Sequence, residues 1–585
     1  MVVATLNKYL LVVGAAITTA SSVDTPSQAN CASSSFSLDN IVPGVTILSI
    51  EAKEQIDYTS HGAGPQPAVE GLRFCQVKIF LTHQSATDIS LGLNDTNDKV
   101  LVEAWLPLSL EDWNGRFQAT GGAGFTTGMF DAQLGVAVQS GWAAVSTDGG
   151  HNAADSAVGD ASWAMNKDKS INWHLLQNFA SRSIIEQIPI GKRITEQYYG
   201  SKPHHSYWNG CSTGGLQGYA MAQRFPHLVD GILANAPAIN FPHLVTSQIW
   251  PQLRMLMTNT YLSKCELEYY QARVIEACDS MDGVLDGILE DPEQCDFDVY
   301  TLVGVNTTFQ CDGKDVVFTS DMARIITEMH QGPGSSSESL FFPGLAHGVP
   351  MGALAKIKIS KDGVRSQNPS RISSSWLKYL VLKDPTFDLK EITDVDKYFE
   401  LFGQASYEFG GVLATNTPDL SALEASGTKM VTWHGINDQM IPYQNTVAYR
   451  RKVEGAMGGA HRVDDYFRLF LAPGLGHCGG GIGAQLKDPL GALVDWVEHD
   501  TPPETLDAEM IDSEGELVTK DICAWPAKSK YMGIGNAKRA SSWSCVGGTE
   551  RPSMVDDGSN SGHAQKIIND IADRFGGLGL GLSIG

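Results

Sequence analysis

The stretch Trp208-Asn209-Gly210-Cys211-Ser212-Thr213-Gly214-Gly215 constrains the fold more than any other. It contains Gly-x-Ser-x-Gly as Gly210, Ser212 and Gly214. A short aromatic run, Ser206-Tyr207-Trp208, precedes it as a buried strand end would. Good helix formers from Leu216 to Phe225 follow, stopped by Pro226. Strand, Gly-flanked turn and helix together predict a nucleophile elbow. The serine then sits in a strained backbone, and side chains at the flanking glycines would collide with the neighbouring strand or helix. Such a turn lifts the hydroxyl above a sheet and aims a helix N-terminus at a developing oxyanion. A Gly-rich turn with an incidental serine has the same pentapeptide, so partners must come from elsewhere in the chain.

Short apolar strands alternate with amphipathic helices around the elbow. Val100 to Pro107 reads as a strand. So does Phe117 to Thr120, which runs into Gly121-Gly122-Ala123-Gly124, and so do Gly141 to Asp148 and Gly231 to Ala238. Arg182 to Tyr199 contains a helix. From about 243 to 425 the rhythm breaks into helix formers, Cys, Asp and aromatic residues around a polar Gln331–Ser337 loop, which reads as an inserted lid. The strands resume at Lys429–Gly435 and Asp465–Leu471, and a helix from Ala492 to His499 closes the core. The expected fold is α/β, a mostly parallel sheet covered on both faces. Residues 30–242 and 426–546 form the catalytic domain and 243–425 the lid. Residues 547–585 form a loosely ordered tail with a short helix near Ala564 to Phe575.

The 585 residues carry 66 acidic against 42 basic side chains, a formal charge of -24. No Lys/Arg cluster stands out, which argues against nucleic acid as a partner. Acid spread along the chain suits an acidic or extracellular medium. Residues 1–29 resemble a secretory signal: Lys8 supplies the positive charge, and Tyr9 to Ala20 is apolar but too short to span a bilayer. Cleavage after Ala20 and cleavage after Ala29 both fit. Export makes up to five disulfides available to the ten cysteines. Cys31 with Cys75 would tie the N-terminal strands together, and Cys523 with Cys545 would staple a C-terminal loop. The sequons at Asn94 and Asn306 fit the same route.

A serine hydroxyl needs a base, and the base needs an orienting acid. In an α/β-hydrolase sheet they follow in the order Ser, Asp or Glu, His. Asp438 in His434-Gly435-Ile436-Asn437-Asp438 and His477 in Gly474-Leu475-Gly476-His477-Cys478 each lie just past a strand, in that order. A helix cap and a loop histidine are the plain alternatives for each alone. If Ser212 and His477 meet, their neighbours Cys211 and Cys478 are close enough to bond. The backbone N–H of Thr213 is one expected oxyanion donor. Gly122 is taken as the second, with Gly121 next to it. Asp279, Asp282 and Asp286 form an oxygen-rich loop suited to structural Ca²⁺, aided by the carbonyls of Val284 and Ile288. A Cys278–Cys295 bridge would hold that loop closed. A solvated acidic turn is the bland reading.

These residues resemble the tannase and feruloyl esterase family of secreted α/β-hydrolases, from about residue 30 to 546. The marks are Gly210–Gly215 with its Cys-Ser pair, His434-Gly435 through Asp438, Gly476-His477-Cys478, Cys523-Ala524-Trp525-Pro526 and Trp543–Val546. The family's lid calcium loop matches Asp279, Asp282, Val284, Asp286 and Ile288. Ala119-Thr120-Gly121-Gly122 departs from the family's usual Gly-Asn-Gly-Gly. The lid disulfide also departs, leaving Cys265 and Cys311 to pair with each other. The resemblance implies hydrolysis of small or polysaccharide-linked phenolic acid esters, of ferulate, related hydroxycinnamates or gallate. A tailoring esterase or transacylase, and a non-catalytic secreted binding protein of the same fold, are the alternatives. Trp250, Phe341 and Phe342 are aromatic residues available to line an acyl pocket, with core packing the alternative for each.

Overall fold

The computed structural model describes residues 29–64, 66–83, 98–151, 158–304, 308–334 and 342–547. The leader to residue 28, the sequons at Asn94 and Asn306, Phe341, and the tail from 548 with its expected helix lie outside the described residues.

Nine strands make the main sheet: β1 (Val45–Ser60), β2 (Val69–His83), β3 (Val100–Pro107), β4 (Arg116–Thr120), β5 (Ala143–Thr147), β6 (His205–Cys211), β7 (Gly231–Asn235), β8 (Lys429–Gly435) and β9 (Phe467–Ala472). Their spatial order is β1-β2-β3-β5-β4-β6-β7-β8-β9. From β5 to β9 every neighbour runs parallel. The first three strands extend the sheet antiparallel, as β3 does against β5. The parallel strands are continuous apolar runs because both faces are covered; β5 and β7 are buried at every position.

The period of two along each strand sorts side chains between two cores. Trp208, Ile232 and Met430 face helices α1 (Arg182–Tyr199), α2 (Thr213–Arg224) and the helix Tyr443–Ala456. Their neighbours Tyr207, Leu233 and Val431 face the opposite side, against the closing helix Pro489–His499. Helix α1 presents Ile184, Ile188 and Ile194 to the sheet and ends at Gly200, which takes the left-handed conformation at φ 70°.

The chain leaves the sheet at Asn235 and rejoins it at Lys429. The intervening segment carries helices and two small two-stranded sheets. It shares a core with the body of the molecule: Phe125, Phe179 and Leu216 pack with Phe241, Trp376, Tyr398 and Phe409. Bonds join Cys31–Cys75, Cys211–Cys478, Cys265–Cys311, Cys278–Cys295 and Cys523–Cys545. No helix among the described residues is long and apolar enough to cross a membrane.

Candidate active site

Ser212 sits between β6 and α2 with φ 62° and ψ −117°, a backbone that costs energy for any L side chain. Its N–H donates to Asn235 O at 3.0 Å, which ties the elbow to β7. A Cβ on Gly210 would lie 2.5 Å from Gly214 O, and one on Gly215 2.5 Å from Asn235 O. Gly214 has slightly more room, 3.3 Å to Gly122 O, so the strictest steric demands fall on Gly210 and Gly215.

The three residues expected to act together are joined by hydrogen bonds. Ser212 Oγ lies 2.9 Å from His477 Nε2, and His477 Nδ1 lies 2.7 Å from Asp438 Oδ2. An ionised carboxylate only accepts, so Nδ1 carries the proton and Nε2 is free to take the serine's. Asp438 is 1 % exposed. Burial pushes its carboxyl up, but His477 and His434 outweigh burial and hold it well below the usual carboxylate range. Its Oδ1 accepts the N–H groups of Met440 and Ile441, both at 2.8 Å. His434 brings a second imidazole to the same carboxylate, Nε2 to Oδ2 at 3.1 Å, while Thr446 Oγ1 lies 2.9 Å from its Nδ1. The Cys211–Cys478 bond, Cα–Cα 5.9 Å, clamps the base loop to the elbow.

The oxyanion expectation needs correcting at Gly122. Its N–H donates to Gln217 Oε1 at 3.0 Å, inside the protein, so it does not face the serine as a free donor. Gly121 is buried and does not line the cavity above Ser212. Ala123 does line it, and its N–H makes only a long 3.3 Å contact with Thr126 Oγ1. Thr213 stands across from this loop, its Oγ1 donating to Gly124 O at 2.7 Å.

Above Ser212 lies a cavity of about 400 Å³. Its walls come from the elbow, the Gly122–Gly124 loop, helix α3 (Phe241–Ser247) and the Met440-Ile441 turn. The link between β1 and β2, with Ala63, Gly64 and Gln66, closes one side, beside Met129 and Gln133. Asp131 holds this link by accepting from Tyr58 Oη at 2.7 Å and His61 N at 3.0 Å. No local motif marks these N-terminal residues as part of the site. Among the described lining residues none is Lys, Arg, Asp or Glu. Trp250 and Phe342 do not line the cavity: both are buried in the insertion's core, and Trp250 Nε1 donates to Glu328 O at 3.0 Å. The cavity's aromatic wall is Phe241.

The acidic loop lies away from the triad but touches its support. Ile288 comes near the loop that carries His477: a Cβ on Gly474 would lie 3.4 Å from its Cδ1. Asp279, Asp282 and Asp286 each use one oxygen on a backbone N–H of the loop, at Gly287, Val284 and Ile288. Asp282 Oδ2 is buried without a hydrogen-bond partner among the described residues. Burial, with Asp286 and Asp279 nearby, pushes the Asp282 carboxyl up to about 6. The loop offers the carboxylate and carbonyl oxygens that Ca²⁺ takes, but Asp279, Asp282 and Asp286 do not bring one oxygen each within 4.8 Å of one another.

Residues 93–546 match the family model described as tannase and feruloyl esterase. The chain is 39% identical over 510 residues to a probable feruloyl esterase of Arthroderma benhamiae, covering 86% of this chain and 92% of that one. It is 30% identical over 471 residues to feruloyl esterase C of Talaromyces stipitatus, covering 77% and 83%. Among solved structures it is similar to the tannin acyl hydrolase of Aspergillus niger, with TM-score 0.78, 24% identity and coverage of 88% and 94%. It is also similar to feruloyl esterase B of Aspergillus oryzae, with TM-score 0.70, 23% identity and coverage of 86% and 97%. The chain therefore belongs to the tannase and feruloyl esterase family of carboxylic ester hydrolases.

Proposed function

We propose that the protein is a secreted serine esterase that hydrolyses phenolic acid esters through an acyl-enzyme. The observation that carries this reading is the Ser212–His477–Asp438 chain opening on a cavity with no Lys, Arg, Asp or Glu among its described lining residues. Ser212 Oγ attacks the ester carbonyl as its proton moves to His477 Nε2. Asp438 keeps the imidazole in the Nδ1–H form and balances the imidazolium charge. The N–H groups of Thr213 and Ala123 receive the oxyanion, with the N-terminus of α2 behind them. His477 then protonates the leaving alcohol. Water, activated by the same imidazole, releases the acid. The mostly apolar described walls suit an aromatic acyl group and disfavour a charged one.

The acidic loop is read as a structural Ca²⁺ site, held by the side chains of Asp279, Asp282 and Asp286 and the carbonyls of Val284 and Ile288. The ion would neutralise the loop's carboxylates and brace the segment against Gly474. Export is supported by the signal-like leader and the five disulfides.

The test is hydrolysis of methyl ferulate, methyl caffeate, methyl gallate and a short p-nitrophenyl ester by wild type and Ser212→Ala, with fluorophosphonate labelling alongside. Turnover of at least one phenolic ester, lost together with labelling in Ser212→Ala, is the expected result. Turnover that survives Ser212→Ala refutes the mechanism.

A further inference from the structure

Resting on the serine-esterase reading above, we infer that His434 is a positioning residue for the reaction. Its ring N–H shares the Asp438 oxygen that serves His477, which holds the carboxylate in one orientation and moderates the basicity of His477.

The hydrogen bonds around the ring set this role. Ile441 O and Asp438 Oδ2 lie 3.0 and 3.1 Å from His434 Nε2. A carbonyl and an ionised carboxylate only accept, so Nε2 carries a hydrogen and divides it between them. Thr446 Oγ1, from the helix Tyr443–Ala456, lies 2.9 Å from Nδ1 and fixes the other side of the ring. His434 and Thr446 are both fully buried, so water does not stand in for either partner. His434 is on β8, and Asp438 follows it by four residues in the turn beyond.

A carboxylate has about four acceptor positions. In Asp438 all are filled. Oδ1 takes the N–H groups of Met440 and Ile441, both at 2.8 Å, and Oδ2 takes His477 at 2.7 Å and His434 at 3.1 Å. Of these donors, His434 is the one side chain outside the triad. Each donor draws on the carboxylate's charge and leaves less of it to stabilise the imidazolium that forms at His477. Without the His434 donor that charge falls more fully on His477, which then protonates more readily and loses its base form at a higher pH.

Among the described residues no other charged side chain hydrogen-bonds to this unit. From α2, Tyr219 Oη lies 3.1 Å from Thr432 Oγ1, two residues before His434 on β8. Arg450, on the helix Tyr443–Ala456, is paired with Glu454 and Asp464. The His477 backbone N–H donates to the neutral Gln439 Oε1 at 3.1 Å. The rival account is that the His434 N–H serves Ile441 O alone and only shapes the turn. It predicts no change in the protonation of His477.

The experiment measures kcat/KM for p-nitrophenyl acetate from mildly acidic to neutral pH, where the acid limb reports the base of the free enzyme. The variants are His434→Asn, whose amide reaches toward Thr446 but is too short for Asp438, His434→Leu, which has no donor, and His434→Gln, whose longer amide restores a donor to Asp438. The position of the limb does not depend on the fraction of enzyme that folds. It is expected to rise by about one pH unit, tenfold in proton affinity, in the Asn and Leu variants and to stay near wild type in the Gln variant. A limb left at the wild-type position in the donor-free variants, or moved equally in His434→Gln, overturns the inference. A wild type that does not hydrolyse the ester, or whose turnover survives Ser212→Ala, instead overturns the serine-esterase reading.

Discussion

At the scale of single residues, the site depends on groups whose partners leave them one role. Asp438 accepts from two backbone N–H groups and stands against two imidazoles, so it fixes the tautomer of His477 without itself taking a proton. Asp438→Asn is expected to lower kcat by on the order of 10³–10⁴. Steady-state kinetics together with a thermal melt separates that loss from unfolding. Gln217 acts one layer further out. Its Oε1 takes the Gly122 N–H, and its Nε2 reaches Thr127 O and Phe179 O at 3.2 and 3.4 Å. Gln217→Leu strands these backbone groups and frees the oxyanion loop. A fall in kcat of about tenfold or more with KM little changed is expected, with a stability loss of about 2–3 kcal/mol. Unchanged kcat would show that the loop holds its place without this amide.

At the scale of elements, two loops must meet the elbow at fixed distance. The Cys211–Cys478 bond joins residues 267 apart in sequence, and chain entropy alone assigns such a closure roughly 5 kcal/mol as an upper figure. Its position matters as much as its size, because it spans the atoms on either side of the Ser212–His477 contact. The double variant Cys211→Ala/Cys478→Ala is therefore expected to lose a larger share of kcat than of folded population at room temperature. Activity per mole of folded enzyme, counted by circular dichroism, checks this. The acidic loop comes near the same segment at Ile288, whose Cδ1 a Cβ on Gly474 would meet at 3.4 Å. Chelator is expected to lower the melting temperature by several degrees and activity more gradually, with Ca²⁺ restoring both. Restoration by Mg²⁺ alone would exclude a site selective for the larger ion.

At the scale of the whole molecule, charge is buried where distant parts join. Glu498, on the closing helix, accepts from Arg116 of β4 through two 2.7 Å hydrogen bonds and from Tyr207 Oη of β6 at 2.7 Å. The Arg116 hydrogen bonds, offset in part by burial, lower its carboxyl from 4.5 to about 2. A lowered carboxyl contributes stability above its unfolded value and loses it as pH falls toward 2. His83 has the opposite sign. Burial pulls it down, but Asp98 and Glu186 overcome burial and raise it from 6.5 to about 9. Its contribution is full below 6.5 and fades as pH rises through 9. Melting temperature is accordingly expected to hold across the mildly acidic range and fall at both ends. Glu498→Gln should remove about 2 kcal/mol near neutrality and flatten the acid limb. An acid limb of the same slope in that variant would assign acid sensitivity to other carboxylates.

Read alone, the chain determined its elements and the order of the three residues that hydrogen bonds join, Ser212, Asp438 and His477. Strand, turn and helix around Ser212 are local steric facts, and Asp438 and His477 each follow a strand whose apolar run is visible in the residues. Boundaries shifted by a few positions: the elbow helix starts at Thr213 and β7 stops at Asn235. The tertiary structure alone decided that the Gly122 N–H is already engaged. Gly122 looked suitable from its place in a glycine run, but its donor is taken by Gln217, ninety-five residues away. It also decided the cavity wall. Trp250 and Phe342 are aromatic in sequence yet buried elsewhere, while the β1–β2 link and Gln133 join the site only because the sheet adds three antiparallel strands beside it. Local sterics act between neighbours in the chain and can be read from it. Which donors remain free, and which side chains share a cavity, depends on contacts between segments hundreds of residues apart.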